Sequence, residues 1–177
     1  MRLLFATSIV PDGALSSGYE IANAAVIDGL RRAGAHVTIM GFTWPGKAPS
    51  DPGTLVLDEL EIRTDAVSFP RKLRWLAGAM MSGLPVASAK LKVLSPDDLR
   101  KRIADAGPFD GYVLNAAPFA GAFEAAFDDR PFILVAHNVE FRSAEENAAS
   151  ARDAFQRLVY AREARALEQM ERRLCRK

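Results

Sequence analysis

Residues 3–42 read LLFATSIVPDGALSSGYEIANAAVIDGLRRAGAHVTIMGF, and this stretch decides the fold. Residues 3–8 form a short apolar run, broken too soon by Pro11, Asp12 and Gly13 for a signal peptide, and predict a buried first strand. The segment that follows, up to Gly18, is rich in turn residues. From Gly18 an apolar face built on Ile21, Ala25 and Leu30 predicts a helix. Ser16 or Ser17 is its cap, and Gly34 stands in the left-handed position beyond its end. Residues 36–42 then predict a second strand with Val37, Ile39 and Met40 buried. Strand, loop, helix and strand in this order open a doubly wound sheet. The fold class is therefore α/β: Rossmann-like, mostly parallel, flanked by helices.

The rest of the chain extends that pattern. Residues 44–54 read as a surface loop and residues 60–67 as a third strand near a sheet edge. Residues 71–83 predict a helix with Leu73, Leu76, Ala77 and Met80 on one side, stopped by Pro85. Ser95 caps the next helix, with Pro96 at its first position, Asp97 and Asp98 in its first turn and Gly107 beyond its end. Residues 111–115 predict a fourth strand, residues 119–127 a short helix, and residues 131–136 a fifth strand. That fifth strand is continuously apolar, as expected in a buried parallel sheet. Residues 140–177 lack proline and glycine and read as one helix with Phe155, Leu158, Val159, Leu167, Met170 and Leu174 as its apolar stripe. Its charges of both signs suit a solvated face.

Composition narrows the function classes. With 177 residues, 49% hydrophobic and 25% charged, the chain has the length and balance of one globular domain. No apolar run reaches the length of a membrane span. A single cysteine, Cys175, makes no internal disulfide, which suits a reducing, cytoplasmic setting. The net charge of +1, and aromatics that do not interleave with a basic stripe, argue against nucleic acid as a partner. The average conceals a basic region, however. Between residues 71 and 102 stand Arg71, Lys72, Arg74, Lys90, Lys92, Arg100, Lys101 and Arg102 against only Asp97 and Asp98. Such a region matters if the substrate carries phosphate or sits on a membrane. Residues 71–81 would suit an anionic bilayer surface, giving peripheral contact at the inner face of the membrane. The plain alternative, a helix whose apolar face covers the sheet, is preferred.

Two segments carry candidate chemistry. Gly13 and Gly18 have P-loop spacing, but Tyr19 and Glu20 occupy the positions that need Lys and Ser or Thr, so a nucleotide triphosphatase is rejected. The dinucleotide fingerprint is absent too, and the second strand ends without an acid for a ribose. Gly18 thus either approaches a ligand or eases a tight turn into the helix. The second segment is His137-Asn138-Val139-Glu140, polar residues directly after an apolar strand, where an α/β fold places its chemistry. His137 could donate hydrogen bonds or move a proton near neutral pH, while Glu140 could serve only the helix dipole. His36, beside a glycine turn at a strand start, reads as structural.

Taken together, three segments resemble the N-terminal domain of family-4-type glycosyltransferases, which have two Rossmann-like domains. These are the opening strand with Ser17-Gly18-Tyr19-Glu20 and Ala35-His36-Val37-Thr38, then Phe109-Asp110-Gly111-Tyr112-Val113, and Val135-Ala136-His137-Asn138-Val139-Glu140. The last is the most specific, since many members carry His-Asn-x-Glu there. The family usually has a Gly-Gly pair where this chain has Ser17-Gly18. Residues 168–175 look like the helix preceding the family's Ala-Asp-x-Val strand. The resemblance implies retaining transfer of a sugar from a nucleotide-diphosphate donor to a glycan or lipid-linked acceptor. It also implies His137 as the catalytic contact, and Ser17, Gly18, Asn138 and Glu140 as donor or acceptor contacts. No metal and no cofactor is implied beyond the nucleotide sugar as substrate. Residues 1–177 would be the single acceptor-side domain, and the C-terminal donor-binding domain, with its Glu-x7-Glu site, would be missing. Glu163 and Glu171 have that spacing but lie inside a charged helix, and are set aside as coincidence. Without its partner domain the chain is expected to be inactive and to self-associate through an uncovered apolar patch. The alternatives are a stand-alone nucleotide-binding or regulatory module, a subunit of a split transferase, or a sugar-nucleotide epimerase.

Overall fold

The computed structural model describes residues 1–14 and 17–176. Five parallel strands form one sheet in the order β3-β2-β1-β4-β5, flanked by helices: a Rossmann-like α/β fold. Strand β1 (Arg2–Ile9) lies at the centre between β2 (His36–Thr43) and β4 (Gly111–Asn115). Its apolar run is buried on both faces, which is why it does not alternate. Leu4 and Ala6 join Met40, Phe42 and Leu114 in a core covered by α4 (Pro96–Asp105), α5 (Ala117–Phe123) and α7 (Ala154–Leu174). Leu3 and Phe5 join Val37, Ile39 and Val113 on the other face, where Ile27 of α1 (Gly18–Arg32) packs.

The caps of α1 form as the sequence predicts, but its inward face does not: Ile21 and Ala25 are exposed and Leu30 half-buried, while Asn23 and Ile27 are buried. Ser17 Oγ accepts from the Glu20 backbone N–H, and the Glu20 carboxylate accepts from Ser17 N–H, closing a capping box. Ser16, the other candidate cap, lies outside the described residues. Gly34 follows the helix with φ of +86°. Between β1 and β2 the register shifts past Thr7, and Gly41 lies so close that an added Cβ would collide with the Thr7 carbonyl oxygen.

Several sequence-based expectations need correction. The third strand is β3 (Leu55–Glu59), not residues 60–67. Pairing Met40 with Leu55 and Thr43 with Glu59 exhausts the reach of β2, and Leu60 only adds a last hydrogen bond to Thr43 O. Strand β5 (Phe132–Val135) is continuously apolar yet forms the other edge, with Ile133 66% exposed. The C-terminal helix is two helices, α6 (Glu140–Ala149) and α7. Asp153 caps α7 by accepting from Gln156 N–H, so the break needs no proline or glycine. Phe155 and Leu158, expected in the packed stripe, are exposed, whereas Leu167, Met170 and Leu174 are buried. Helix α2 (Phe69–Ser82) turns Trp75, Leu76 and Ala79 inward and leaves Phe69, Leu73 and Met80 outside, so its apolar residues do not all cover the sheet. The sequence also concealed α3 (Val86–Ala89). No helix among the described residues is long and apolar enough to cross a membrane.

The Gly41 contact is a direct test of the β1–β2 fit. Gly41→Ala should lower stability by about 2–3 kcal/mol in urea unfolding, the usual cost of overpacking; an unchanged midpoint would mean the strands are not this close.

Candidate functional site

The strand order reverses between β1 and β4, and open α/β sheets bind ligands in the crevice beyond such a switch point. Thr7 and Asn115, at the carboxyl ends of these strands, are register partners. Both are fully buried, and so is Asn23 on the inner face of α1. Three buried polar side chains need partners, and they find them in one network. Asn115 Nδ2 donates to Asn23 Oδ1 at 2.7 Å and shares its second proton between Thr7 Oγ1 at 3.1 Å and Tyr19 OH at 3.3 Å. Thr7 Oγ1 and Tyr19 OH lie 2.8 Å apart.

Asn115 Oδ1 is then left as an acceptor, and His137 Nε2 approaches it to 2.9 Å. Because Asn115 Nδ2 is committed to Asn23, His137 donates through Nε2–H. The Tyr19 ring meets the imidazole edge to face, with centroids 5.1 Å apart. The histidine is exposed to solvent but is oriented by a buried amide and an aromatic ring.

Beside this network lies a cleft of about 300 Å³. Ile9, Val10, Pro11, Trp44, Ile62 and Pro118 make its apolar walls, while Ser17, His137, Asn138 and Glu140 also line it. Four of the five residues singled out in the sequence therefore meet in one place. Gly18 does not line the cleft; it is the first residue of α1, with ordinary φ and open space around an added Cβ. The turn does not need a glycine there. Ser17 is occupied as the α1 cap, and Asn138 donates to Ser143 Oγ and accepts from Val139 N–H, so both also fix local structure. Glu140 opens α6, and its N–H donates to Glu171 Oε1 at 2.8 Å. Burial raises the Glu171 pKa, and the nearby Glu140 carboxylate adds to the rise.

Helix α7 holds two cleft walls from behind. Glu163 Oε1 accepts from Val86 N–H at 2.5 Å at the start of α3, as Glu171 does at the start of α6. Ala87, Lys90 and Leu91 form the α3 side of the cleft. Another feature is Ala116, which lines the cleft at φ +74°, a left-handed conformation that no other non-glycine among the described residues adopts. Its N–H donates to Val135 O, and its strain, on the order of 1–3 kcal/mol, sits at the turn from β4 into α5. Ser8 Oγ, also at the cleft, is buried with no hydrogen-bond partner among the described residues. No three His, Cys, Asp or Glu side chains converge for a metal among those residues.

Thr7, Asn23 and Asn115 escaped the sequence reading, which named Tyr19 only beside Gly18 and Lys90 only within a basic region. A signal existed for some: Tyr19, Asn23 and Ile27 recur at one-turn spacing on the inward side of α1, so an asparagine interrupts an otherwise buried stripe. Thr7 and Asn115 likewise end apolar strands with a polar group. His36 is exposed at the first position of β2, far in sequence from any of these contacts.

Two substitutions separate fold from site. Asn115→Ala strands several buried partners and should cost about 2–3 kcal/mol in urea unfolding; a loss under ~0.5 kcal/mol would mean the network is not cohesive. Gly18→Ala should leave stability within ~0.5 kcal/mol, and a marked loss would show that the fold requires this glycine. Comparison with protein-family models, curated proteins and solved structures finds no match for this chain, so it stands as a Rossmann-like α/β domain with a cleft at its switch point.

Proposed function

We propose that this chain is the acceptor-side domain of a two-domain glycosyltransferase, and that its cleft receives the reacting sugar or acceptor. The observation that carries this reading is the mixed lining of the cleft. Trp44, Ile9, Val10 and Pro118 give it apolar surface, and His137, Tyr19 and Glu140 give it polar groups. A pyranose has matching chemistry, with C–H faces for the apolar walls and a rim of hydroxyls for the polar groups. The His137-Asn138-Val139-Glu140 segment at a strand end, which resembles the His-Asn-x-Glu of family-4-type enzymes, supports the same assignment.

In this reading His137 uses Nε2–H to stay anchored on Asn115 and offers Nδ1 to a sugar or acceptor hydroxyl. It holds that hydroxyl in line and takes up its proton as transfer proceeds. Transfer joins the acceptor oxygen to the anomeric carbon while the bond to the diphosphate breaks and the nucleoside diphosphate leaves. The donor nucleotide is held by a second Rossmann-like domain, so turnover belongs to the cleft between two domains and not to this one alone.

The test uses the complete two-domain enzyme, a panel of nucleoside-diphosphate sugars and glycan or lipid-linked acceptors, with products read by mass. We expect a glycosylated acceptor, and a kcat about 100-fold lower in His137→Ala, with a melting temperature close to that of the parent. Undiminished turnover in that variant removes His137 from the chemistry. Donor hydrolysis or epimerisation without transfer to any acceptor overturns the glycosyltransferase reading itself.

A further inference from the structure

A second concavity lies between α2 and residues 89–93, with chemistry unlike that of the cleft. It encloses about 570 Å³ and is lined by Ser68, Arg71, Arg74, Trp75, Lys90 and Lys92, among others. Arg71 Cζ lies 5.5 Å and Lys90 Nζ 4.4 Å from the centre of the Trp75 ring, so two cations share one indole. Among the described residues, no carboxylate oxygen comes within 4.0 Å of Arg71, Arg74, Lys90 or Lys92. This contrasts with Arg31, Arg63, Arg100, Arg162, Arg172 and Arg173, each of which has an acidic partner.

Four cations around one groove repel one another; Glu61 reaches Arg71 and Glu163 reaches Lys90 only through longer-range attraction, so an anion placed among the four relieves all the pairs at once. Lys90 sharpens the point. Two of its three N–H donors go to Ile62 O at 2.9 Å and Thr64 Oγ1 at 2.8 Å, which fixes the ammonium and leaves one donor for a ligand. Its partial burial lowers its pKa, a penalty that a bound anion offsets. The two guanidinium forks match tetrahedral phosphate oxygens, and four cations suit a group with more than one negative charge better than a lone carboxylate.

We propose that this groove binds a phosphate-bearing group with two or more negative charges, a pyrophosphate or a phosphomonoester, held by Arg71, Arg74, Lys90 and Lys92 around Trp75. Lys90 also lines the cleft, so the two sites share a wall. The proposal stands on the groove and not on the assignment of the cleft. Two sources carry this chemistry: a soluble phosphate ester, and a phosphorylated lipid headgroup whose chains lie against Phe69, Leu73 and Met80, all exposed on α2.

The experiment reads binding by the 177-residue chain itself. The sequence has two tryptophans, Trp44 and Trp75, so a Trp44→Phe background makes Trp75 the sole reporter. Sodium pyrophosphate, titrated at constant ionic strength, should change the Trp75 emission saturably. Arg74→Gln with Lys92→Gln, both exposed positions, should weaken that binding by roughly tenfold or more while the circular dichroism spectrum is unchanged. No saturable change, an unchanged affinity in the double variant, or an equal response to sodium chloride overturns the proposal. Sedimentation with phosphatidic acid vesicles distinguishes the sources once pyrophosphate binds. A chain that sediments and is released by pyrophosphate takes its phosphate from a lipid. One that stays in the supernatant, or sediments undisturbed by saturating pyrophosphate, uses the groove for a soluble ester. Vesicle binding without any pyrophosphate binding counts against the groove.

Discussion

Strand β1 is hydrogen-bonded on both edges and buried on both faces, and every other feature is arranged around it. Such a strand has no room for polar side chains along its length, because each would need a partner inside an apolar layer. Leu3, Leu4, Phe5 and Ala6 satisfy that demand. Thr7 is the first departure, and it comes where β1 leaves the regular register with β2 and pairs with Asn115 of β4. Polarity is admitted at the one end of the strand where α1 and the β4–α5 turn can supply partners.

The hydrogen bonds gathered there have a second effect. Asn115 ties β1, α1, β4 and the loop after β5 to a single amide, so four segments far apart in sequence share one geometry. Buried networks of this kind are stabilising only when each member is satisfied, which also makes them rigid. The imidazole therefore arrives at the cleft with its tautomer set by groups that solvent does not reach. The basic groove across Lys90 is organised differently: one half-buried, hydrogen-bonded lysine, three exposed cations and one indole, with no carboxylate in ion-pair contact among the described residues. A preorganised polar lining thus adjoins a cationic one.

Much of the fold was legible because its central strands are apolar on both faces and its first helix is bounded by a capping serine and a C-terminal glycine. The same logic explains the errors. Apolar residues at 60 and 62 outweighed the short run at 55–57, although it is the latter that pairs with β2. Continuous apolarity in residues 132–135 suggested a strand of a buried sheet without giving its place, because an edge strand that packs Phe132 and Leu134 on one face and Val135 on the other looks the same in one dimension as a central one. The break between α6 and α7 was invisible to a search for breakers because a side-chain cap makes it. Within the site, His137, Asn138 and Glu140 stood out as a contiguous polar segment. Thr7, Asn23 and Asn115 did not, since each is a single polar residue in an apolar element and only the folded chain brings them together. Lys90 was visible as charge, and its position between cleft and groove follows from a short helix with no periodic pattern.

The two carboxylates of α7 have a geometric consequence. Glu163 grips the start of α3 and Glu171 the start of α6, each through a main-chain N–H. Along an α-helix that interval corresponds to a rise of about 12 Å. Helix α7 is thus a ruler, and the gap between two walls of the cleft is inherited from the pitch of an element that contributes no side chain to its lining. Side-chain changes elsewhere on the outer face of α7 leave this measure intact. Removing one residue between the two grips shortens it by about 1.5 Å and turns one carboxylate through about 100°. Drift by substitution is then readily absorbed along this stretch, whereas a change of length is not.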